Sequence, residues 1–316
     1  MYTSTALATI AASCEEAQAR IRKHISKTMC IASREGSGLF FKTENFQKTG
    51  SFKLRGAMSK LTSLATDMPV ITASSGNHGI ACSHAAMTTG HSLTVVLPEN
   101  VAKAKLEKIK SYGTAVILSP GDSGLAEQRA RQLSENDEYV YVSPYNDAMV
   151  IAGQGTIGLE LLEQLPEIDN VFISLGGGGL VSGIGAALKV AKPEVKVFGV
   201  SARHSAALSA SIRAGKVVET EHLNTLADGC AGGVDEDSIT LPVAGEVIDQ
   251  LIECTEEEIS RALKLLAWKE NMIVEGAAGL AYAGYLAHEA DLRNQNSVIL
   301  LCGSNFDKET IRSVIT

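Results

Sequence analysis

One repeating unit constrains this chain more than any other feature. A short apolar run ends in a cluster of small polar or glycine residues, and a helix-compatible segment follows. Eight runs read as strands: "LFFKTE" from Leu39, "PVITAS" from Pro69, "SLTVVL" from Ser92, "TAVILS" from Thr114, "YVYVS" from Tyr139, "NVFISL" from Asn170, "VKVFGV" from Val195 and "SVILLC" from Ser297. Several are apolar without alternation, the pattern of strands covered on both faces. Helical segments fit between most of them. Such a β-α-β-α succession predicts an α/β fold with mostly parallel sheets. The 316 residues suffice for one large or two medium domains. No long linker, internal repeat or low-complexity segment interrupts them, so two closely packed domains are expected. Thr255 and Glu258 have the spacing of a capping box ahead of "EEEISRALKLLAWKE".

The strand ends carry the chemistry, because open α/β sheets gather ligands at the carboxyl ends of their strands. One strand runs into Ser74-Ser75-Gly76-Asn77-His78, with a helix behind. Small residues there let backbone N–H groups converge on an anion. A plain capped turn has the same composition. His78 has no partner His or Cys at metal-ligand spacing. A second strand ends at Leu175, before Gly176, Gly177, Gly178 and Gly179. Four consecutive glycines are costly in chain entropy. A loop that wraps an oxyanion with bare backbone compensates that cost, and phosphate is the natural oxyanion. The dinucleotide fingerprint G-x-G-x-x-G fails, since its last position falls on Val181 or Ser182, and no G-K-[ST] follows for a P-loop. A monophosphate remains. A third strand runs into Cys302-Gly303-Ser304-Asn305, where a buried structural cysteine and a ligand-facing one are both open readings. In "KTENFQKTGSFKLRGA", Lys53 sits where a helix should start. A surface charge and a reactive amine both fit that position.

Composition narrows the partners. The net charge of -8 argues against nucleic acid and anionic membranes. No apolar run is long enough to cross a bilayer. The N-terminus lacks a basic region ahead of an apolar one and does not read as a signal peptide. Six cysteines without a C-x-x-C pair suit a reducing, cytoplasmic setting and no zinc site.

Taken together, the segments "LFFKTENFQKTGSFKLRGA", "SSGNHG", "GGGGL", "LADGCAGGV", "VEGAAG" and "CGSN" resemble, in order and over almost the whole chain, the fold type II pyridoxal-phosphate enzymes, the tryptophan synthase β-like architecture. Within that group the chain is most similar to the branch of serine/threonine dehydratases and serine racemases. The resemblance implies pyridoxal 5'-phosphate as cofactor, bonded through its aldehyde to Lys53, with Phe52 packed beside it. Asn77 would hydrogen-bond the ring 3'-oxygen. Gly176 to Gly179, with the Leu180 amide, would hold the 5'-phosphate. Cys302 would face the ring nitrogen, and Gly229 and Glu275 would approach the ring. Ser74, Ser75, Gly76, Asn77 and His78 would hold the substrate carboxylate. A homodimer is implied, with a small domain at 69–138 inserted into a large one of 1–68 and 139–316 and the cofactor in the cleft between.

The implied activity is dehydration of L-threonine, L-serine or a related 3-hydroxy amino acid to a 2-oxo acid and ammonia. Lys53 would act as the base at Cα. Serine racemisation is an alternative, since Ser75 lies where racemases of this group keep an acid/base serine. A non-catalytic cofactor or amino-acid carrier is an alternative of another class. Some positions depart from the group. Ser201 and Ala207 stand where serine racemases have metal-binding carboxylates, so no metal is expected. Gly124 stands where an arginine would meet an acidic substrate side chain, which disfavours hydroxyaspartate. No C-terminal regulatory domain, and hence no feedback control, is expected.

Overall fold

The computed structural model describes residues 4–36, 38–135 and 138–316. In chain order the elements are α1 (Ser4–Ile21), β1 (Cys30–Ala32), β2 (Leu39–Lys42), α2 (Lys53–Leu61), β3 (Val70–Thr72), α3 (Asn77–Thr89), β4 (Leu93–Pro98), α4 (Lys103–Lys110), β5 (Ala115–Ser119), α5 (Ser123–Ser134) and β6 (Val140–Tyr141). Then come α6 (Ala148–Gln164), β7 (Asn170–Ser174), α7 (Gly179–Ala191), β8 (Lys196–Ala202), α8 (Ala207–Ala214), α9 (Thr240–Val247), β9 (Gln250–Cys254), α10 (Glu256–Trp268), α11 (Gly276–Leu286), β10 (Ser297–Leu300) and α12 (Lys308–Ile315). The α/β class with mostly parallel sheets is as expected.

The strands form two sheets. One has six strands in the order β1-β2-β10-β7-β8-β9, the other four in the order β5-β4-β3-β6. Every pairing is parallel except β1 with β2. The central strands β3, β7 and β10 are buried along their whole length. The edge strands β5 and β9 are partly exposed. β9 and the antiparallel β1 were not among the eight expected strands, and "YVYVS" contributes only two residues, Val140 and Tyr141. The four-stranded sheet thus takes its last strand from just beyond residue 138.

Each sheet reverses its strand order once. In the large sheet, β7, β8 and β9 build outward and the chain then returns to place β10 on the other side of β7. In the small sheet, β3, β4 and β5 build outward and β6 returns to the far side of β3. Crossover connections leave in opposite directions at such points, which opens a crevice at the strand carboxyl ends. The crevices lie beside the ends of β7 and β10 in one sheet and of β3 and β6 in the other.

Helix α2 joins the two. Leu54, Ala57, Met58 and Leu61 follow the i, i+3, i+4, i+7 spacing of a buried helix face and share a core with Val70, Leu93, Val95 and Leu97 of the small sheet. On another face, Arg55 is fully buried. It donates through Nε and Nη2 to the two carboxylate oxygens of Glu44, both at 2.8 Å, and through Nη1 to Glu160 at 2.7 Å. Lys42 Nζ donates to the same Glu160 at 2.5 Å. Two cations and two carboxylates, all buried, therefore tie β2, α2 and α6 together. A second, larger core covers the six-stranded sheet, with α7, α10 and α11 against Phe172, Val200 and Ile299.

Candidate active site

Lys53 is the first residue of α2, and the loop before it is docked on the end of β10. The Phe52 N–H donates to the Cys302 carbonyl at 3.0 Å and the Ser304 N–H to the Gly50 carbonyl at 2.8 Å, while Ser51 bridges to Gly303. The Lys53 side chain donates from Nζ to the Pro144 carbonyl at 2.9 Å, and Nζ lies 5.1 Å from the centre of the Phe52 ring. Burial holds the ammonium pKa below the ordinary lysine range. Cys230, Cys82, Cys302 and Glu275 face the amine and oppose that shift. The amine is therefore biased towards the neutral, nucleophilic form. Lys53 is half-buried, and its side chain turns back to the Pro144 carbonyl.

The glycine run lies at the end of β7. Gly178 has φ 88 and is the N-cap of α7, a left-handed conformation that side chains disfavour. A Cβ at Gly177 would come within 2.4 Å of the Tyr145 ring. Thr240 Oγ1 donates to the Gly177 carbonyl at 2.6 Å. The carbonyl is thus turned back into the protein. The N–H groups of Gly179, Leu180 and Val181 open α7 and have no intrahelical acceptor by position. Residues 144–145 connect this loop to the amine, with the Pro144 carbonyl on Lys53 and the Tyr145 ring under Gly177.

Asn77 opens α3. Its Nδ2 donates to the Glu275 carboxylate, with distances of 2.9 Å to Oε1 and 3.1 Å to Oε2. Glu275 is buried, and burial pushes its carboxyl up to about 7 against the donors around it, Asn77, the Asn305 N–H and the Cys302 thiol. Cys302 Sγ lies 3.8 Å from Glu275 Oε1, and burial keeps this thiol protonated at neutral pH. Gly229 borders the same carboxyl, and a Cβ there would lie 3.7 Å from Oε1. A Cβ at Gly176 would approach Cys230 Cα at 3.2 Å. Ser74, Ser75 and Gly76 are half-buried, and Ser74 Oγ accepts the Gly76 N–H at 3.2 Å. The His78 ring is buried under the loop and donates from Nε2 to the Val142 carbonyl at 2.9 Å. Its pKa is lowered to about 3 by burial, so the ring is neutral.

The structure thus brings the ends of β3, β7 and β10 together around Lys53. Several residues of the cluster had not been singled out. Pro144 and Tyr145 belong to "SPYND", which follows β6 with the same turn chemistry as the other strand ends. That run could have been read as a fourth strand-end loop. Asn305 was within the quoted "CGSN" but not assigned a part. Thr240 carries no local signal. Its contact with Gly177 comes from a segment distant in sequence.

Residues 21–303 match the family described as pyridoxal-phosphate dependent enzyme. An L-threonine ammonia-lyase of Geobacter sulfurreducens is 36% identical over 312 residues, covering 95% of this chain and 77% of that protein. A catabolic L-threonine dehydratase of Escherichia coli is 33% identical over 310 residues, covering 95% of this chain and 94% of that protein. Among solved structures, the processed form of threonine deaminase isoform 2 from Solanum lycopersicum superposes with a TM-score of 0.93 at 29% identity, covering 99% of this chain and 93% of that one. Maize serine racemase superposes with a TM-score of 0.89 at 32% identity, covering 96% and 95%. With a shielded lysine amine beside a glycine-lined helix start, and with likeness along nearly its whole length, the chain belongs to the fold type II pyridoxal-phosphate-dependent enzymes.

Proposed function

We propose that this enzyme is an ammonia-lyase that converts L-threonine, L-serine or a related 3-hydroxy amino acid to a 2-oxo acid and ammonia. The observation that carries the reading is the half-buried Lys53 amine, bonded to a carbonyl rather than to a carboxylate. The residues fit the cofactor on two counts. Gly177 and Gly178 leave bare backbone at the start of α7 where a side chain would strike Tyr145 or strain φ, which suits the 5'-phosphate. Cys302, a protonated thiol, suits an unprotonated ring nitrogen. Pyridoxal phosphate, when bound, supplies the electron sink for charge that develops at the substrate Cα.

The chain's own groups do the rest. Lys53 would hold the cofactor through its aldehyde, and its Nζ, when free, would take the substrate Cα proton as a base. The loop of Ser74 to His78 holds the substrate carboxylate with its N–H groups at the start of α3. Gly176 to Gly179 and the Leu180 N–H would hold the phosphate, Phe52 would pack beside the ring, and Asn77 would donate to the ring oxygen. Gly229 and Glu275 would border the ring. The Cα–H and Cβ–O bonds break, the hydroxyl leaves as water, and a water molecule is then consumed when ammonia is released.

Racemisation is the second reading. Ser75 sits in the carboxylate loop, and racemisation needs a proton donor opposite Lys53. Ser75→Ala should then suppress D-serine turnover more than L-serine dehydration. The same proposal includes a cytoplasmic homodimer without a catalytic metal and a small domain formed around residues 69–138.

The deciding experiment incubates the purified holoenzyme with L- and D-hydroxy amino acids and identifies the products. A 2-oxo acid with stoichiometric ammonia from L-threonine or L-serine is expected. D-amino acid alone, or no product, would overturn the assignment. Lys53→Ala should lose the visible absorbance of covalently bound cofactor and lower turnover by at least about 10²–10⁴-fold, the usual weight of a positioned acid–base group.

A further inference from the structure

Asn305 lies at the mouth of the cleft, outside the strand it follows, and makes three bonds there. Its backbone N–H donates to Glu275 Oε2 at 3.0 Å. Its side-chain Nδ2 donates to the Thr49 carbonyl at 2.8 Å and to Asn77 Oδ1 at 2.7 Å. Thr49 belongs to the loop that leads into Lys53, and Asn77 opens α3 on the small sheet. One side chain therefore connects three parts of the site.

These bonds have a direction. A primary amide presents a carbonyl at one end and two N–H groups at the other, and rotation by half a turn exchanges them. Asn77 could in principle offer either end to the inner cleft. The Glu275 wall does not decide between them, because a carboxyl can accept when ionised and donate when protonated. The Thr49 carbonyl does decide. A backbone carbonyl only accepts, and its place is set by the loop that docks on β10. The group of Asn305 that meets it at 2.8 Å must be the donor, because the opposite orientation would press two oxygens together. The same nitrogen then meets Asn77, so the atom of Asn77 at 2.7 Å must be its oxygen. Its Nδ2 is left on the Glu275 side.

We infer that Asn305 is a positioning residue: anchored by the Thr49 carbonyl, it fixes the Asn77 amide as an N–H donor towards the cofactor ring oxygen. This rests on the reading that Asn77 meets that oxygen. An N–H donor there stabilises negative charge on the oxygen, whereas a carbonyl turned inward would repel it. The loop that delivers the reactive lysine thereby also sets the polarity of the residue across the ring.

The test uses the holoenzyme of Asn305→Asp, Asn305→Ala, Asn77→Ala and the double variants with Asn77→Ala. An aspartate at 305 cannot donate to Asn77 and favours the reversed amide. An alanine leaves the amide free to take either orientation. Asn305 is exposed, so both substitutions are compatible with folding, which thermal melting checks. Two readouts other than activity are followed: the cofactor dissociation constant and the pH midpoint of its visible absorbance band. Asn305→Asp is expected to weaken cofactor binding about tenfold, the scale of one hydrogen bond. It should also raise the midpoint by about one pH unit. Asn305→Ala should do the same to a smaller extent. In the Asn77→Ala background, neither substitution should move the midpoint further. If Asn77→Ala moves the midpoint but both Asn305 variants leave it in place, the positioning role is wrong and the reading of Asn77 stands. Full additivity of the two sites overturns the proposal in the same way. If Asn77→Ala itself leaves the band unmoved, the reading of Asn77 fails and the proposal fails with it.

Discussion

Glu275 is a buried side chain whose charge changes within the pH range of an ordinary assay. Its carboxyl is pushed up to about 7 by burial, so the folded protein keeps this proton where an unfolded chain has lost it. Between the ordinary glutamate value near 4.5 and about 7, the folded state holds more proton at this group, and the stability Glu275 contributes falls as pH rises through that window. One such proton gives a slope of about 1.4 kcal/mol per pH unit. Buried His78, neutral in the folded protein, contributes the opposite slope below about 6.5. The measurement is therefore the difference between the wild type and Glu275→Gln. In urea unfolding of the cofactor-free proteins from pH 5 to 8, that difference should show the Glu275 slope. An unchanged slope would place the titration elsewhere. At this scale the sequence was legible where a local motif sets the position of a residue, as at Lys53, which opens α2, and the glycines that lead into α7. It was not legible where function depends on a backbone atom. Pro144 contributes a carbonyl, which every residue has, and only the tertiary fold aims it at Lys53.

At the scale of elements, the start of α7 and the placement of α2 make separate demands. Gly177→Ala would push a methyl group against the Tyr145 ring, an overpacking that costs about 1–3 kcal/mol. The strain falls on the loop proposed to hold the phosphate, so cofactor affinity should drop about tenfold or more while the far-ultraviolet circular dichroism stays unchanged. Arg55→Ala would leave Glu44 and Glu160 buried with only Lys42 nearby as a cation. Breaking a buried pair in this way costs about 3–5 kcal/mol, to be measured by chemical denaturation. A loss below about 1 kcal/mol would mean that water reaches the cluster. Strands were legible where their apolar runs are continuous, even at the partly exposed edge strand β5. β7 and β10 are continuous apolar runs covered on both faces. β9 reads "QLIEC" because half of it faces solvent, and β1 is three residues long, so neither stands out in a single sequence.

Across the whole molecule, the cleft joins two crevices of the same origin, each beside the strand where its sheet reverses order. The β-α rhythm announced two parallel sheets. It could not announce that their reversals would face each other, because strand order is set by long-range packing rather than by local pattern. Residues 235–240 tie the two sides of the cleft. Arg131 of α5 bonds Asp235, Asn146 bonds Asp235 and Asp237, and the Asp235 N–H donates to the Tyr145 hydroxyl. The Arg131–Asp235 pair is partly exposed, so Arg131→Ala should change global stability by no more than about 1 kcal/mol. Amide hydrogen exchange should nevertheless rise at 143–147 and 235–240, and a rise confined to α5 would refute the tie.

The path by which the chain leaves the four-stranded sheet has a mechanical consequence. It departs through residues 143–147, the segment that carries the Pro144 carbonyl bonded to Lys53 and the Tyr145 ring beneath Gly177. This connection to the sheet is therefore also a wall of the site. Any displacement of it would loosen the grip on the lysine and the floor of the glycine loop in the same movement, so the two are geared to one axle.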